Sequence, residues 1–275
     1  MAIALPKELD YLQYRRNVQK ALNEKSKVTP PLKVDGDLGA KTIAALQLFQ
    51  KASQMPVTGL WDETTQKSLG SFITQKYLTL ADYQSAAKSL GVDTPSVMSV
   101  CEVESRGSGF FEDGQCAILF EPHVFYQQLA KTRTAQALSQ LVATYPTIVN
   151  PGKPTYLGGI PEYTRLSVAS KIDPHLALMS ASWGLFQIMG FNFASAGYGN
   201  VEAFVLDMKE SEGKQLQAFV KFVTTYRQGA LLAALRAKNW AKFAEIYNGS
   251  NYKQNNYDTK LADNYSTFKG QPLLA

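Results

Sequence analysis

Histidine and cysteine are scarce in this 275-residue chain, with two of each. The histidines, His123 and His175, have no helical spacing, so a zinc hydrolase site with two histidine ligands would need both across a long separation. No metal or other cofactor is expected. Cys101 and Cys116 are too few for a disulfide framework. A bridge between them is geometrically feasible, but nothing in the sequence calls for one. Cys101 sits inside a helical pattern on its apolar side, whereas activated thiols favour helix N-termini or cationic surroundings. That weighs against a Cys–His peptidase using Cys101 with His175 or His123. Long apolar runs are missing too: the longest, around residues 229–235, is far short of a membrane span. No Lys/Arg block is dense enough to indicate nucleic acid. The opening stretch, MAIALPKELDYLQYRRN, lacks a basic segment followed by a long apolar core and does not read as a secretory signal. Synthesis in a cytoplasm, no membrane insertion, no nucleic-acid partner and a monomer are the expectations.

What is present is an ordinary soluble composition with a modest basic excess. Hydrophobic residues make up 45% and charged residues 19%, and the net charge is +5. Residues 1–72 hold 10 basic and 7 acidic residues, and residues 73–275 hold 18 and 16, so the excess is spread along the chain. Such a balance favours an anionic polymer, a bacterial envelope among them.

Residues 94–126, TPSVMSVCEVESRGSGFFEDGQCAILFEPHVFY, organise the chain. Thr94 suits an N-cap and Pro95 the first helical position. Ser105, Arg106 and Gly107 read as the helix end, with Gly107 free to take a left-handed conformation. At about 100° per residue, Val97, Cys101 and Glu104 fall on one face while Glu102 turns toward the polar side. A carboxyl among apolar neighbours loses hydration in its charged form, so its pKa should rise, as a general acid near neutral pH requires. A buried Glu satisfied by backbone or Arg is the structural alternative. After a loop with Asp113-Gly114 at its tip, residues 117–120 form an apolar run with the look of a short strand. Glu121 interrupts it. A carboxylate in so apolar a setting needs a function or a partner: it reads either as a second functional carboxylate or as an ion-pair partner, with Arg106 a candidate. His123 reads as a structural hydrogen-bonding residue.

Residues 12–22, 41–51 and 62–69 have amphipathic or capped helical patterns, the last opened by Asp62. Leu46, Phe49 and Leu60 should fill a small core there, and residues 71–80 read as a linker. Residues 79–90 predict a helix between a Thr79 cap and a Gly91 stop. Further on, residues 132–149, 164–172 and 174–182 are helical in character. Residues 150–163, rich in Gly and Pro, are irregular and suited to lining a groove, where Tyr156 and Tyr163 either stack on a ligand or pack inward. Residues 200–225 predict two helices broken near Gly213, and residues 231–247 one strong helix. Residues 250–275 read as a polar loop, a last helix and a tail.

Two later blocks, SASWGLFQIMGFN at 180–192 and AEIYNG at 244–249, complete a pattern. An acid segment ending Glu104-Ser105, a Gly-hydrophobic-hydrophobic-Gln-Ile block and a Tyr-Asn-Gly block in that order resemble the lytic transglycosylase and goose-type lysozyme superfamily. The ILFEPHVFY stretch is similar to the N-acetylmuramidase domain of phage endolysins. The sequence VDGDLGAKTIAALQLFQKASQMPVTGLWDETTQKSL resembles a three-helix peptidoglycan-binding module, with Asp35, Gly36, Thr42, Gln50 and Trp61 among the matching positions. Most of these read as fold determinants; Trp61 either staples the core or stacks on a sugar.

These resemblances imply a mainly α protein: a three-helix wall-binding domain over 1–74 and an α-rich lysozyme-like domain with a short β-hairpin over 75–275. They imply binding of peptidoglycan and cleavage between N-acetylmuramic acid and N-acetylglucosamine, with Glu104 as acid, Tyr247 facing it, and Ser105, Ser182, Gln187 and Asn248 around the substrate. A reducing end results if Glu121 activates water, and an anhydro end if the muramic 6-hydroxyl attacks instead. A wall-binding protein without turnover is the non-catalytic rival. The N-terminal module resembles endolysins of phages of Gram-negative hosts, which implies release to the wall by a separate membrane-permeabilising protein.

Overall fold

The computed structural model describes residues 11–105, 107–152 and 155–271. The first part is built on α1 (Leu12–Ser26) and α2 (Ala40–Ala52), packed on each other. Val18, Ala21, Leu22, Ala45, Leu46 and Phe49 are buried there, while Leu60 is 48% exposed. Trp61 takes the place expected of Leu60: it is buried and meets Tyr14 edge-on at 6.4 Å between ring centroids. Ile43, on the outer side of α2, is also exposed.

The third helical segment runs on past residue 69. Asp62 caps α3 (Glu63–Thr65) by accepting the Thr65 N–H at 2.9 Å. One wider π turn, Gln66–Gly70, then carries the chain straight into α4 (Ser71–Lys76). The expected linker is therefore mostly helix, and only residues 77–79 remain between α4 and α5 (Leu80–Leu90). Leu69 and Ile73 are buried, so the apolar pattern continues across the presumed boundary and holds the helix together. Thr79 and Asp82 form a capping box at the start of α5, and Gly91, at φ +65°, ends it.

Helix α6 (Thr94–Glu104) is capped by Asp93, not Thr94: the Asp93 carboxylate accepts the Ser96 N–H, and Thr94 is already helical. It packs on α5 and on the last helix. The hairpin expected beside it is a three-stranded antiparallel sheet. Its strands are β1 (Ile118–Phe120), β2 (Ala181–Trp183) and β3 (Ile188–Met189), with Leu119 opposite Ser182 and Trp183 opposite Ile188. Residues 181 and 182, expected to end a helix, are thus strand.

Between β1 and β2 come α7 (Pro122–Ala130), α8 (Ala135–Thr144), α9 (Pro161–Ile172) and α10 (Pro174–Met179). After β3, α11 (Val201–Glu210) and α12 (Glu212–Thr225) break at Ser211, whose side chain caps α12 through the Lys214 N–H. Gly213 lies inside α12 and breaks nothing. The helix expected over 231–247 is two, α13 (Ala230–Arg236) and α14 (Trp240–Asn248); Lys238 at φ +52° turns the chain and Asn239 caps α14. Helix α15 (Tyr257–Lys269) closes the fold against α6, with Ser99 Oγ donating to the Leu261 carbonyl at 2.5 Å. The architecture is mainly helical with a small sheet at its centre.

Candidate active site

Helix α6 delivers both carboxylates of its last turn as its periodicity requires. Val97, Val100 and Cys101 are buried on the inner face. Glu102 turns outward and pairs with Arg16 of α1 at 3.0 Å. Glu104 turns into a cavity of about 340 Å³ lined also by Ser105, Phe186, Gln187, Tyr247 and Asn248. Burial pushes the Glu104 carboxyl up to about 7, against the Asn248 hydrogen bond that lowers it. Asn248 Nδ2 donates to Oε1 at 2.8 Å, which leaves Oε2 to carry a proton. Glu104 is the one acidic side chain among the described residues lining this cavity.

The turn between β2 and β3 forms the facing wall. Gly184, at φ +70°, begins it, and a Cβ there would lie 2.6 Å from Gln215 Cδ. Gln187 is also left-handed, at φ +49°. Its side chain is fully engaged: Nε2 donates to the Gly184 carbonyl at 2.8 Å, and Oε1 accepts the Ser182 hydroxyl at 2.8 Å. Ser182 is buried and acts on Gln187.

Tyr247 lines the cavity, but its hydroxyl donates to the Phe186 carbonyl at 3.0 Å. The resemblance implied a hydroxyl facing Glu104; its hydrogen bond goes to Phe186, while the Glu104 charge lies close enough to act on it. Burial first, and the nearby Glu104 charge second, push the Tyr247 hydroxyl well above its ordinary range. Its ring stacks on Phe243 and meets Phe219 and Phe222 edge-on, so its position is set by packing.

Glu121 lies outside both this cavity and the larger one on the other side of Ser105. Its carboxylate accepts the Tyr156 hydroxyl at 3.1 and 3.0 Å, and His123 Nδ1 lies 3.3 Å from Oε2. Burial raises its pKa, and the Tyr156 hydrogen bond opposes the rise. Arg106, the ion-pair partner considered for it, lies outside the described residues. Tyr163 packs inward, donating to the Cys116 carbonyl at 2.8 Å. Both cysteines are free and buried, and burial pushes the Cys116 thiol up to about 12 and Cys101 well above its ordinary value. These are conditions against a thiolate nucleophile. His175 pairs with Glu202 at 2.8 Å.

In the N-terminal part, the five matching residues serve the fold. Asp35 accepts the Gln19 amide at 3.0 Å, and the Gly36 N–H donates to Gln19 Oε1 at 2.6 Å. Thr42 donates to the Asp37 carbonyl, and buried Gln50 bridges Thr58, the Gly59 N–H and Thr65.

Three residues that position this site escaped the sequence reading. Gln215 of α12 accepts the Leu185 N–H at 2.7 Å and donates to the Gly109 carbonyl. Glu212, one turn earlier, accepts the Leu78 and Gly109 N–H groups at 3.1 and 2.9 Å and pairs with Lys20 at 3.1 Å. Glu162 of α9 accepts the Leu157 and Gly158 N–H groups and pins the loop that carries Tyr156. The available signal was polar residues on apolar stripes. Glu212 and Gln215 share their face with Leu216, Phe219 and Phe222.

Residues 93–269 match the family model described as N-acetylmuramidase, and residues 13–69 match that of a putative peptidoglycan binding domain. Among solved structures, the chain is similar to the crystal structure of the Burkholderia AP3 phage endolysin. The identity is 41%, with 94% of this chain and 96% of that one covered and a TM-score of 0.67. No curated protein matches.

Proposed function

The chain belongs to the N-acetylmuramidase family, and from that premise we propose that Glu104 is the general acid that cleaves its substrate. The protein is an endolysin-like glycoside hydrolase acting on peptidoglycan, with an N-terminal peptidoglycan-binding part. The proposal takes the bond between N-acetylmuramic acid and N-acetylglucosamine as the one cut. It divides the chain at residues 74 and 75, and takes the enzyme to be made in a host cytoplasm before it reaches the wall.

The observation that carries this is the Glu104 carboxyl, raised to about 7 in a cavity where Asn248 occupies only Oε1. Near neutral pH a substantial fraction of molecules then holds a proton on Oε2. Transfer of that proton to the glycosidic oxygen accompanies lengthening of the C1–O bond toward an oxocarbenium-like state. Tyr247 and Phe186 form the floor. Ser105 contacts the sugar from the rim, and Gln187, held by Ser182 and Gly184, shapes the wall beside it. Glu121 serves as the second carboxylate of the hydrolysis only on turning from its place outside the cavity toward the water at C1. For it to activate water, Tyr156 must release it.

A second reading draws on Glu104 being the one acidic residue lining its cavity. Without a second carboxylate at the bond, the muramic 6-hydroxyl closes onto C1 and leaves an anhydro end. Mass spectrometry of muropeptides released from purified peptidoglycan separates the two. Reducing muramic ends from wild type, absent with Glu104→Gln, are the expected result. Anhydro ends would replace hydrolysis by transglycosylation and make Glu121 structural. Equal release by both proteins would remove Glu104 from the chemistry.

A further inference from the structure

The larger cavity of the molecule lies beyond Ser105 from Glu104. It measures about 830 Å³ and opens between α1 and the larger part of the chain. Gln13, Arg16 and Lys20 of α1 form one wall; Phe111, Glu112 and Ile160 contribute to the other. The cavity holding Glu104 measures about 340 Å³, and Ser105 lines both. The two carboxylates at the end of α6 divide between them, Glu104 facing the smaller and Glu102 the larger.

The wall made by α1 is fixed in place. Arg16 Nη1 donates to both Glu102 oxygens at 3.0 and 3.1 Å, and Lys20 reaches buried Glu212 at 3.1 Å. Opposite, buried Glu162 holds the loop leading to Ile160, which is 47% exposed. The lining mixes aromatic rings, Tyr77 and Phe111, with side chains that donate and accept, Gln13 and Ser108. That mixture suits a saccharide, which has apolar faces and hydroxyl edges. Ligand cavities commonly span about 300–1,000 Å³, so the Glu104 cavity is at the small end and cannot hold much of a polymer by itself.

The geometry points to one groove: the glycan strand held at Glu104 continues over Ser105 into the larger cavity, where α1 of the N-terminal part is a wall of the substrate site. The inference rests on the muramidase reading above. It makes the N-terminal part a contributor to chain-length preference at the bond being cut, beyond any separate hold on the wall polymer.

The test uses the full chain and uncrosslinked glycan strands stripped of stem peptides, as tetrasaccharides and octasaccharides. In wild type, kcat/KM should rise about tenfold with length. Gln13→Trp, which fills the cavity from α1, should cut that gain to about twofold or less. Ile160→Trp should do the same from the exposed opposite rim, and unchanged melting temperatures would show both variants folded. A wild-type gain kept in both folded variants overturns the inference, as does the lack of any gain in wild type. A gain confined to strands that retain stem peptides assigns the cavity to peptide and overturns it equally. Failure of wild type to cut either strand is a different outcome and counts against the muramidase reading itself.

Discussion

At the scale of single residues, one desolvated carboxyl sets the pH behaviour. Glu104 must be protonated to act as an acid, and its pKa is about 7. The descending limb of kcat/KM should therefore fall near pH 7. Asn248 lowers that pKa by hydrogen bonding. Asn248→Ala should move the limb to higher pH while turnover drops, because Oε2 is no longer oriented. A limb that stays put or moves down would show that this bond does not tune the acid. Stability follows the same linkage. The folded pKa lies above the ordinary 4.5, so the folded state holds a proton that the unfolded chain has given up. That contribution is complete below pH 4.5 and lost as pH rises through about 7. In urea titrations across that window, wild type should lose stability relative to Glu104→Gln, which carries no titrating group there.

At the scale of elements, α12 is the scaffold that joins the two halves of the site. Glu212 takes two backbone N–H groups from separate loops and the ammonium of buried Lys20. Glu212→Ala would leave that ammonium buried without its partner, a change that costs about 3–5 kcal/mol. Adding Lys20→Met to Glu212→Leu removes the stranded charge. It still leaves the Leu78 and Gly109 N–H groups unsatisfied, at about 1–3 kcal/mol each. Urea unfolding of the single and double variants measures both. A cost for Glu212→Ala below about 1 kcal/mol would show that solvent rescues the pair. Much of the helical framework was legible in the sequence because caps and stops are local chemistry. Thr79, Asp62 and Gly91 act where their types predicted, and Gly107 takes its positive φ, though Ser105 is the residue that closes α6. Glu104 was legible for the same reason, since its face follows from helical period alone. Strands β2 and β3 were not, because two or three residues are too few to show a period. Nor was the split between α13 and α14, which rests on Lys238, a residue type with no preference for positive φ. Leu60 was expected in the core and is exposed, while Trp61, open between core and sugar, is buried, because a one-residue choice at a turn depends on tertiary contacts.

At the scale of the whole molecule, the question is whether the peptidoglycan-binding part is tethered or built in. A sequence reading with a linker over 71–80 implies two parts that melt separately. The contacts argue otherwise. Lys20 and Glu212 pair across the boundary with side chains 5% and 1% exposed, where screening is weak. Asn17 donates to the Leu78 carbonyl at 2.8 Å, and Lys76 bridges Glu24 and the Gly114 carbonyl at 2.7 and 3.1 Å. The Arg16–Glu102 pair, about a third exposed, adds little by comparison. Helix α4 runs through the expected linker, so no slack separates the parts. Differential scanning calorimetry should then show one endotherm with calorimetric and van't Hoff enthalpies in agreement. Lys20→Ala should do more than lower the midpoint. By leaving Glu212 buried and unpaired, it weakens the joint selectively, and the N-terminal helices should begin to melt first, broadening or splitting the transition. Two well-separated endotherms in wild type would mean that these contacts do not couple the parts. The wall that α1 gives the larger cavity would then be too loosely held to select chain length.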